Sequence, residues 1–262
     1  MTWALDLDGV VWRASAAVPG SPEAVGSLRD AGERVVFVTN NSARTSDEYA
    51  QALRGHGIAA SPEDVVHGGH AVASLVRPGA KVLGVCGPGV VEALDAVGAE
   101  VDIVDGADRP ARQRGYDAVV VGIRAGITAA HLSLAVRAVL EGATLLGPSA
   151  DPLHPVADGF DIGGGALLAA VAYATGVEAL VGGKPHPPMA AVVRQRFGSV
   201  DVVVGDQARS DGRLAEQLGA RFLLVRSGVG SRGEDPAVLV AARYDDLARA
   251  VATELGPEGD RS

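Results

Sequence analysis

Two carboxylates stand two residues apart in Leu5-Asp6-Leu7-Asp8-Gly9-Val10, at the end of an apolar run. Side chains on a strand alternate faces with period two, so Asp6 and Asp8 start on one side, and Gly9 lets the chain turn sharply beyond them. Acids at the carboxyl end of a buried strand are costly unless they are paired or bound to a metal. The alternative is a solvated strand-to-loop turn. Val36-Phe37-Val38-Thr39-Asn40-Asn41-Ser42 repeats the design with hydroxyl and amide groups. These groups, with nearby backbone N–H, suit phosphate oxygens, although Asn and Ser also build ordinary turns. Gly182-Gly183-Lys184-Pro185 puts a cation on a tight turn, fit either to neutralise a phosphate or to serve as a surface charge. Val204-Gly205-Asp206 ends another apolar run on an acid, and Asp211 follows closely.

These residues need a scaffold that brings strand ends together. Strands and helices alternate along the chain, the sign of a mostly parallel sheet covered by helices on both faces. Trp3 to Leu7 reads as the first strand, and Ser21-Pro22-Glu23 reads as a helix start with Ser21 as N-cap and Gly32 as its end. Arg34 to Val38 is a buried strand, and Thr45 with Glu48 forms a capping box for a helix reaching Gly55 to Gly57. A second α/β series begins near Lys81, with a helix from about Gly89 to Val97 and another opening at Thr128. After Gly176 the strand and helix rhythm resumes, with Asp201 to Gly205 and Arg221 to Val225 as strands. In open parallel sheets the site lies outside the carboxyl ends of the strands, where these acids, hydroxyl groups and Lys184 fall.

The chain has 262 residues, 47% of them hydrophobic, enough for a large core in one domain or two. A net charge of -9 argues against a nucleic-acid or membrane-surface partner, since neither attracts a protein without a basic face. No stretch reaches the ~18 apolar residues of a membrane span, and the opening MTWALDLDG lacks the pattern of a signal peptide, so the expectation is a cytoplasmic protein. The single cysteine, Cys86, cannot form an internal disulfide, in keeping with a reducing compartment.

LDLDGVVW at 5–12, VTNNS at 38–42, GGKPHP at 182–187 and VVGDQARSD at 203–211 together resemble, in order, the four motifs of the haloacid-dehalogenase-like (HAD-like) phosphatases. The likeness is to the type IIA branch, whose large cap interrupts the core between the second and third motifs. It implies a doubly wound α/β core of Rossmann-like kind over residues 1–78 and 180–262, with an inserted α/β cap domain over 79–179. It also implies that Asp6 is the nucleophile, that Asp8 protonates the leaving alkoxide and then activates water, and that the two carboxyls hold opposite protonation states. Magnesium is expected on the Asp6 carboxylate, the Asp8 backbone carbonyl and Asp206, with Asp211 supporting them. Thr39, Asn40, Asn41 and Lys184 are expected on the phosphate. The substrate is then a small phosphomonoester, with glycerol 3-phosphate or phosphoglycolate first, and capped relatives often pair as homodimers. Gln207 and Ser210 depart from the arginine and threonine usual in the fourth motif, and Gly147-Pro148-Ser149-Ala150-Asp151 departs from the usual cap sequence.

Other readings compete. Gly228 to Gly233 fits a dinucleotide fingerprint, but Pro236 and the short remaining chain leave no room for the rest of that fold. A P-loop at Lys184 fails because proline follows it. His67-Gly68-Gly69-His70 has the composition of a metal pair, yet the intervening glycines fix no face, which favours loop or core. His154 and His186 stand where they could reach the site entrance, and Trp12 reads as packing beneath the loop after Asp6. A phosphometabolite-binding regulator would have no use for both Asp6 and Asp8, and a phosphomutase would release no free phosphate. The implied cap should close over substrate and exclude water. Solution scattering with and without a substrate analogue should therefore show the cap rotating; indistinguishable profiles would overturn that expectation.

Overall fold

The computed structural model describes residues 1–14, 16–104, 115–156, 158–228 and 235–256. Of the glycine run at Gly228 to Gly233, only Gly228 lies among them, and the tail after Gly256 lies outside. The elements begin with β1 (Thr2–Leu5), β2 (Trp12–Arg13), β3 (Ala16–Ala17), α1 (Ser21–Asp30), β4 (Arg34–Thr39), α2 (Ser46–Gly55), β5 (Val65–His67) and α3 (Gly68–Ala73). A second series follows: β6 (Lys81–Val85), α4 (Pro88–Ala96), β7 (Glu100–Ile103), β8 (Ala118–Val121), α5 (Ala129–Leu140) and β9 (Thr144–Gly147). It continues with the hairpin β10 (Leu153–Val156) and β11 (Gly159–Ile162), then α6 (Gly164–Thr175) and β12 (Leu180–Val181). The last stretch holds α7 (Pro187–Phe197), β13 (Val202–Gly205), a π-helical turn at Ala208–Gly212, α8 (Arg213–Leu218), β14 (Arg221–Val225), β15 (Ala242–Tyr244) and α9 (Leu247–Leu255).

Six strands form one parallel sheet in the order β15-β14-β13-β1-β4-β5. Chain order reverses on either side of β1, so β1 is the switch point beside which such sheets place their ligands. Strands buried on both faces read as continuous apolar runs, as Val202-Val203-Val204 and Val35-Val36-Phe37-Val38 do. Alternation still sorts their side chains. Trp3 and Leu5 join a core layer with Leu28, Leu53 and Leu247 from α1, α2 and α9. Ala4 faces the opposite layer, with Met189, Val193 and Leu214 from α7 and α8.

A second parallel sheet has the order β12-β9-β8-β6-β7, with its own apolar layers on both faces. Leu180 and Val181, where the sequence reading restarts the core, pair with Leu146 and Gly147 of this second sheet. Both sheets are flanked by helices, which is the α/β architecture expected.

Local structure departs from expectation at two places. The first strand stops at Leu5, not Leu7, because the amides of Val10, Val11 and Trp12 all turn back onto the Leu7 carbonyl at 3.3, 2.9 and 3.1 Å. The N-cap of α1 is Gly20 in the left-handed region (φ 79°), not Ser21, whose hydroxyl donates to the Val11 carbonyl at 2.7 Å. The Thr45–Glu48 capping box is present, at 3.2 and 2.8 Å.

His67 and His70 form a reciprocal cap on α3: Gly69 N–H donates to His67 Nδ1 at 3.1 Å, and His67 N–H donates to His70 Nδ1 at 3.2 Å. Ligand atoms of His67, His70 and Glu92 lie within 4.8 Å of one another. With Nδ1 accepting, the neutral His67 ring carries its proton on Nε2, the atom that faces Glu92 and would have to bind a metal. Burial pushes the His67 pKa down, so its 3.5 Å contact to Glu92 is a hydrogen bond from a neutral ring, not an ion pair. Burial, reinforced by His67 and Arg196, pushes His70 from 6.5 down to about 3. Between those values the unfolded chain binds more protons at His70 than the folded one, so its contribution to stability falls as pH drops below 6.5. Urea titrations near neutral pH and at about pH 5 should show that loss in the wild type and a shallower one in His70→Asn.

Candidate active site

Strands β4, β1 and β13 lie side by side in register, with Leu5 opposite both Phe37 and Val204, so their carboxyl ends deliver Thr39, Asp6 and Asp206 to one place. Asp6 still donates its amide to the Val204 carbonyl at 2.9 Å, which fixes the backbone from which its side chain leaves the sheet. Lys184 arrives from the turn between β12 and α7. Its ammonium donates to Asp6 Oδ1 at 2.8 Å, Asp211 Oδ1 at 2.6 Å and the Val38 carbonyl at 3.1 Å, using all three of its protons. Asp211 is held on its other oxygen by the Gln207 amide at 3.1 Å. Lys184 and Asp211 are 3% and 1% exposed, so these pairs lie out of bulk solvent and screening.

Carboxylate oxygens of Asp6, Asp206 and Asp211 lie within 4.8 Å of one another. Three glycines make room for them. A Cβ on Gly9 (φ 89°) would come 2.7 Å from Asp206 Oδ2, and one on Gly228 or Gly205 would overlap the Asp206 or Asp211 carboxylate. Ionised together, three carboxylates against one ammonium leave two units of negative charge in a buried space. Burial pushes the Asp6 pKa well up; Lys184 pulls it back, while Asp211 and Asp206 raise it further. On Lys184, burial works downward, but Asp211 and Asp6 outweigh it and raise its pKa, so the ammonium stays charged.

Asp8, expected beside Asp6, stands apart from this carboxylate group. Its Oδ1 accepts the indole N–H of Trp12 at 3.1 Å. Burial raises its pKa, against the pull of His154, Trp12, Lys184 and Arg44. The opposite protonation states expected of Asp6 and Asp8 are therefore not set by burial, which raises both.

Thr39 is buried and its Oγ1 accepts the Asn41 amide at 3.1 Å. Asn40 turns its side chain away from solvent: Nδ2 donates to the Lys184 carbonyl and to Asp151 Oδ2, both at 2.9 Å. Asn41 accepts the Ala43 amide on Oδ1 at 3.0 Å and the Tyr49 hydroxyl on its carbonyl at 2.9 Å. Asp151, which follows β9, is legible in the sequence only within a stretch that departs from the usual cap sequence. It accepts a second hydrogen bond on Oδ2, from Ser149 Oγ at 2.7 Å.

Comparison with known proteins places the whole chain in a family. A family model described as haloacid dehalogenase-like hydrolase matches residues 3–100, and a further HAD-like hydrolase model matches residues 181–252. The D-glycerol 3-phosphate phosphatase of Mycobacterium tuberculosis is 36% identical over 233 residues, which are 87% of this chain and 63% of that protein. Rat chronophin is 34% identical over 254 residues, covering 92% of this chain and 81% of its own length. The chain belongs to the haloacid dehalogenase-like hydrolases. The crystal structure of the M. tuberculosis glycerol phosphate phosphatase in complex with magnesium superposes with a TM-score of 0.83 at 31% identity, over 95% of this chain and 75% of that one. The two family models leave residues 101–180 between them, and the first reaches past β6 and α4 of the second series of elements.

Removing Lys184 should leave Asp6 and Asp211 buried without their cation, which costs about 3–5 kcal/mol when one partner of a buried pair is lost. Lys184→Met should therefore lower the urea midpoint strongly in chelator-containing buffer; an unchanged midpoint would contradict the buried pairing.

Proposed function

We propose that the chain is a magnesium-dependent phosphatase that hydrolyses small phosphomonoesters through an aspartyl phosphate on Asp6. The observation that carries this reading is the Asp6 carboxylate, held by Lys184 at 2.8 Å inside a group of three acids at the sheet's switch point. An isolated acid cluster would repel a phosphate. The donor set suits a hard divalent cation, because three carboxylate oxygens within 4.8 Å carry more negative charge than one ammonium offsets. Asp6, Asp206 and the Asp8 backbone carbonyl would hold magnesium, with Asp211 fixed behind them by Lys184 and Gln207. When bound, the ion supplies positive charge that lets a phosphate approach Asp6 and that lowers the proton affinity of its carboxyl.

The chain's own groups do the rest. An Asp6 oxygen attacks phosphorus, and Asp8 gives its proton to the departing alkoxide oxygen. Asp8, now ionised, takes a proton from the water that displaces Asp6. Thr39 and the Asn40 backbone N–H would take the phosphate oxygens, and the Lys184 charge, held beside Asp6, would offset charge as phosphorus is attacked. The core is assigned to residues 1–78 and 182–262, and the second sheet to a cap over 79–181 that covers the substrate, because β12 pairs with β9 and moves the boundary expected at 179/180 by two residues. Glycerol 3-phosphate leads the substrate list, supported by the names of the relatives, with phosphoglycolate next. No helix among the described residues is long and apolar enough to cross a membrane, and the charge of -9 speaks against a nucleic-acid or membrane-surface partner; the enzyme is assigned to the cytoplasm.

Phosphate release from a panel of phosphomonoesters with magnesium tests this. The wild type should release phosphate and Asp6→Asn should fall to background, since the near-isosteric amide keeps the shape and loses the nucleophile. Binding without release would favour the regulator, and phosphate moved within the substrate would favour the mutase.

A further inference from the structure

The two oxygens of Asp8 are not equivalent. Oδ1 accepts the Trp12 indole N–H at 3.1 Å, and an indole can only donate. A neutral carboxyl group offers a carbonyl oxygen, which accepts well, and a hydroxyl oxygen, which accepts poorly and donates. Facing a donor-only group, Oδ1 takes the carbonyl role, and the proton resides on Oδ2. We infer that Trp12 is a positioning residue for the proton transfer: it fixes which oxygen of Asp8 carries the proton handed to the leaving group. This rests on the phosphatase reading above.

Trp12 is itself held on every side. It is buried, and its ring lies parallel to Tyr49 with centroids 6.5 Å apart and 7° between planes; His56 tilts against it at 5.8 Å. Its amide donates to the Leu7 carbonyl at 3.1 Å, and its carbonyl accepts the Gly9 amide at 2.7 Å, so the indole and the Asp8 carboxyl belong to one closed turn. Tyr49 donates through its hydroxyl to the Asn41 carbonyl at 2.9 Å, which ties the stack to the phosphate-side loop. Burial alone does not demand the Asp8 bond. The other tryptophan, Trp3, is 1% exposed, and its Nε1 has no hydrogen-bond partner in the structure.

The proton balance is simple. As the bond from Asp6 to phosphorus forms and the bond to the alkoxide oxygen breaks, the Asp8 Oδ2 proton moves to that oxygen. In the second step a water proton returns to Asp8 while the water oxygen displaces Asp6. Trp12 neither gains nor loses a proton.

The test compares glycerol 3-phosphate, whose alkoxide needs that proton, with para-nitrophenyl phosphate, whose phenolate departs without it. In Trp12→Phe, kcat/KM should fall about 10–100-fold further for the alkyl ester than for the aryl ester, a fraction of the full general-acid effect. Equal losses on both would reduce Trp12 to packing and overturn the inference. Should that variant not fold, indole 15N–1H spectra decide. The Asp8→Asn substitution should move the Trp12 resonance and leave that of Trp3 in place; an unmoved Trp12 signal would overturn the inference as well. A wild type inert on both esters, with the Asp8→Asn shift present, would instead sink the phosphatase reading.

Discussion

A buried ammonium between two buried carboxylates is the constraint on which the site depends. Lys184 spends its three protons on Asp6, Asp211 and Val38, so two strand ends, the π-helical turn after β13 and the turn carrying Lys184 must meet within hydrogen-bond reach. The turn is shaped for this. A Cβ on Gly182 would come 2.5 Å from the Val72 amide nitrogen, and one on Gly183 would come 2.6 Å from Asn40 Oδ1. Asn40 holds the Lys184 carbonyl at 2.9 Å, so the same residue is anchored through its backbone and its side chain. Buried pairs of this kind add little net stability, since desolvation cancels much of the attraction. Their effect is positional: the carboxylates cannot drift apart without leaving the ammonium unpaired.

The second sheet shares atoms with that arrangement. Asn40 Nδ2 donates to the Lys184 carbonyl and also to Asp151, which follows β9, and Asp151 is steadied in turn by Ser149. On the other flank Glu92 of α4 accepts the amide and hydroxyl of Ser46, the first residue of α2, at 2.9 and 3.0 Å. Gly87, just before α4, lies so close that a Cβ there would come 2.8 Å from Ala43 Cα. The loop from Asn40 to Ser46 is thus gripped from both sides by the second sheet. Any motion of that sheet acts on the loop from Asn40 to Ser46 through these contacts.

The main strands were legible in the sequence because each is an apolar, β-branched run closed by glycine, acid or hydroxyl residues, a pattern that a doubly buried parallel strand imposes. Asp6, Thr39 and Asp206 could be placed at one end of one sheet for the same reason. The indole partner of Asp8 could not, since period two assumes a strand through Leu7, whereas three amides converge on the Leu7 carbonyl and close a turn that brings Trp12 back to Asp8. Trp12 read as packing because nothing local shows that its indole N–H meets a carboxylate four residues back across a turn set by Gly9. Asp151 lies 111 residues from Asn40, and neither residue's neighbours signal the contact. His67 and His70 had the composition of a ligand pair; their use as reciprocal helix caps depends on which ring nitrogen meets which amide, and composition does not carry that.

Burial raises the pKa of both Asp6 and Asp8, so burial alone does not set them to different work. Their partners differ. Asp6 sits against a full positive charge and two further acids, an assembly that responds strongly to any added cation. Asp8 lies outside that group, its one oxygen held by a neutral indole that donates whether the carboxyl is ionised or not. A divalent charge held by the Asp6 and Asp206 carboxylates, with only the backbone carbonyl of Asp8, would act most directly on the Asp6 carboxyl, where it favours ionisation. Two acids two residues apart are thereby separated in function by the turn at Leu7 rather than by their distance along the chain.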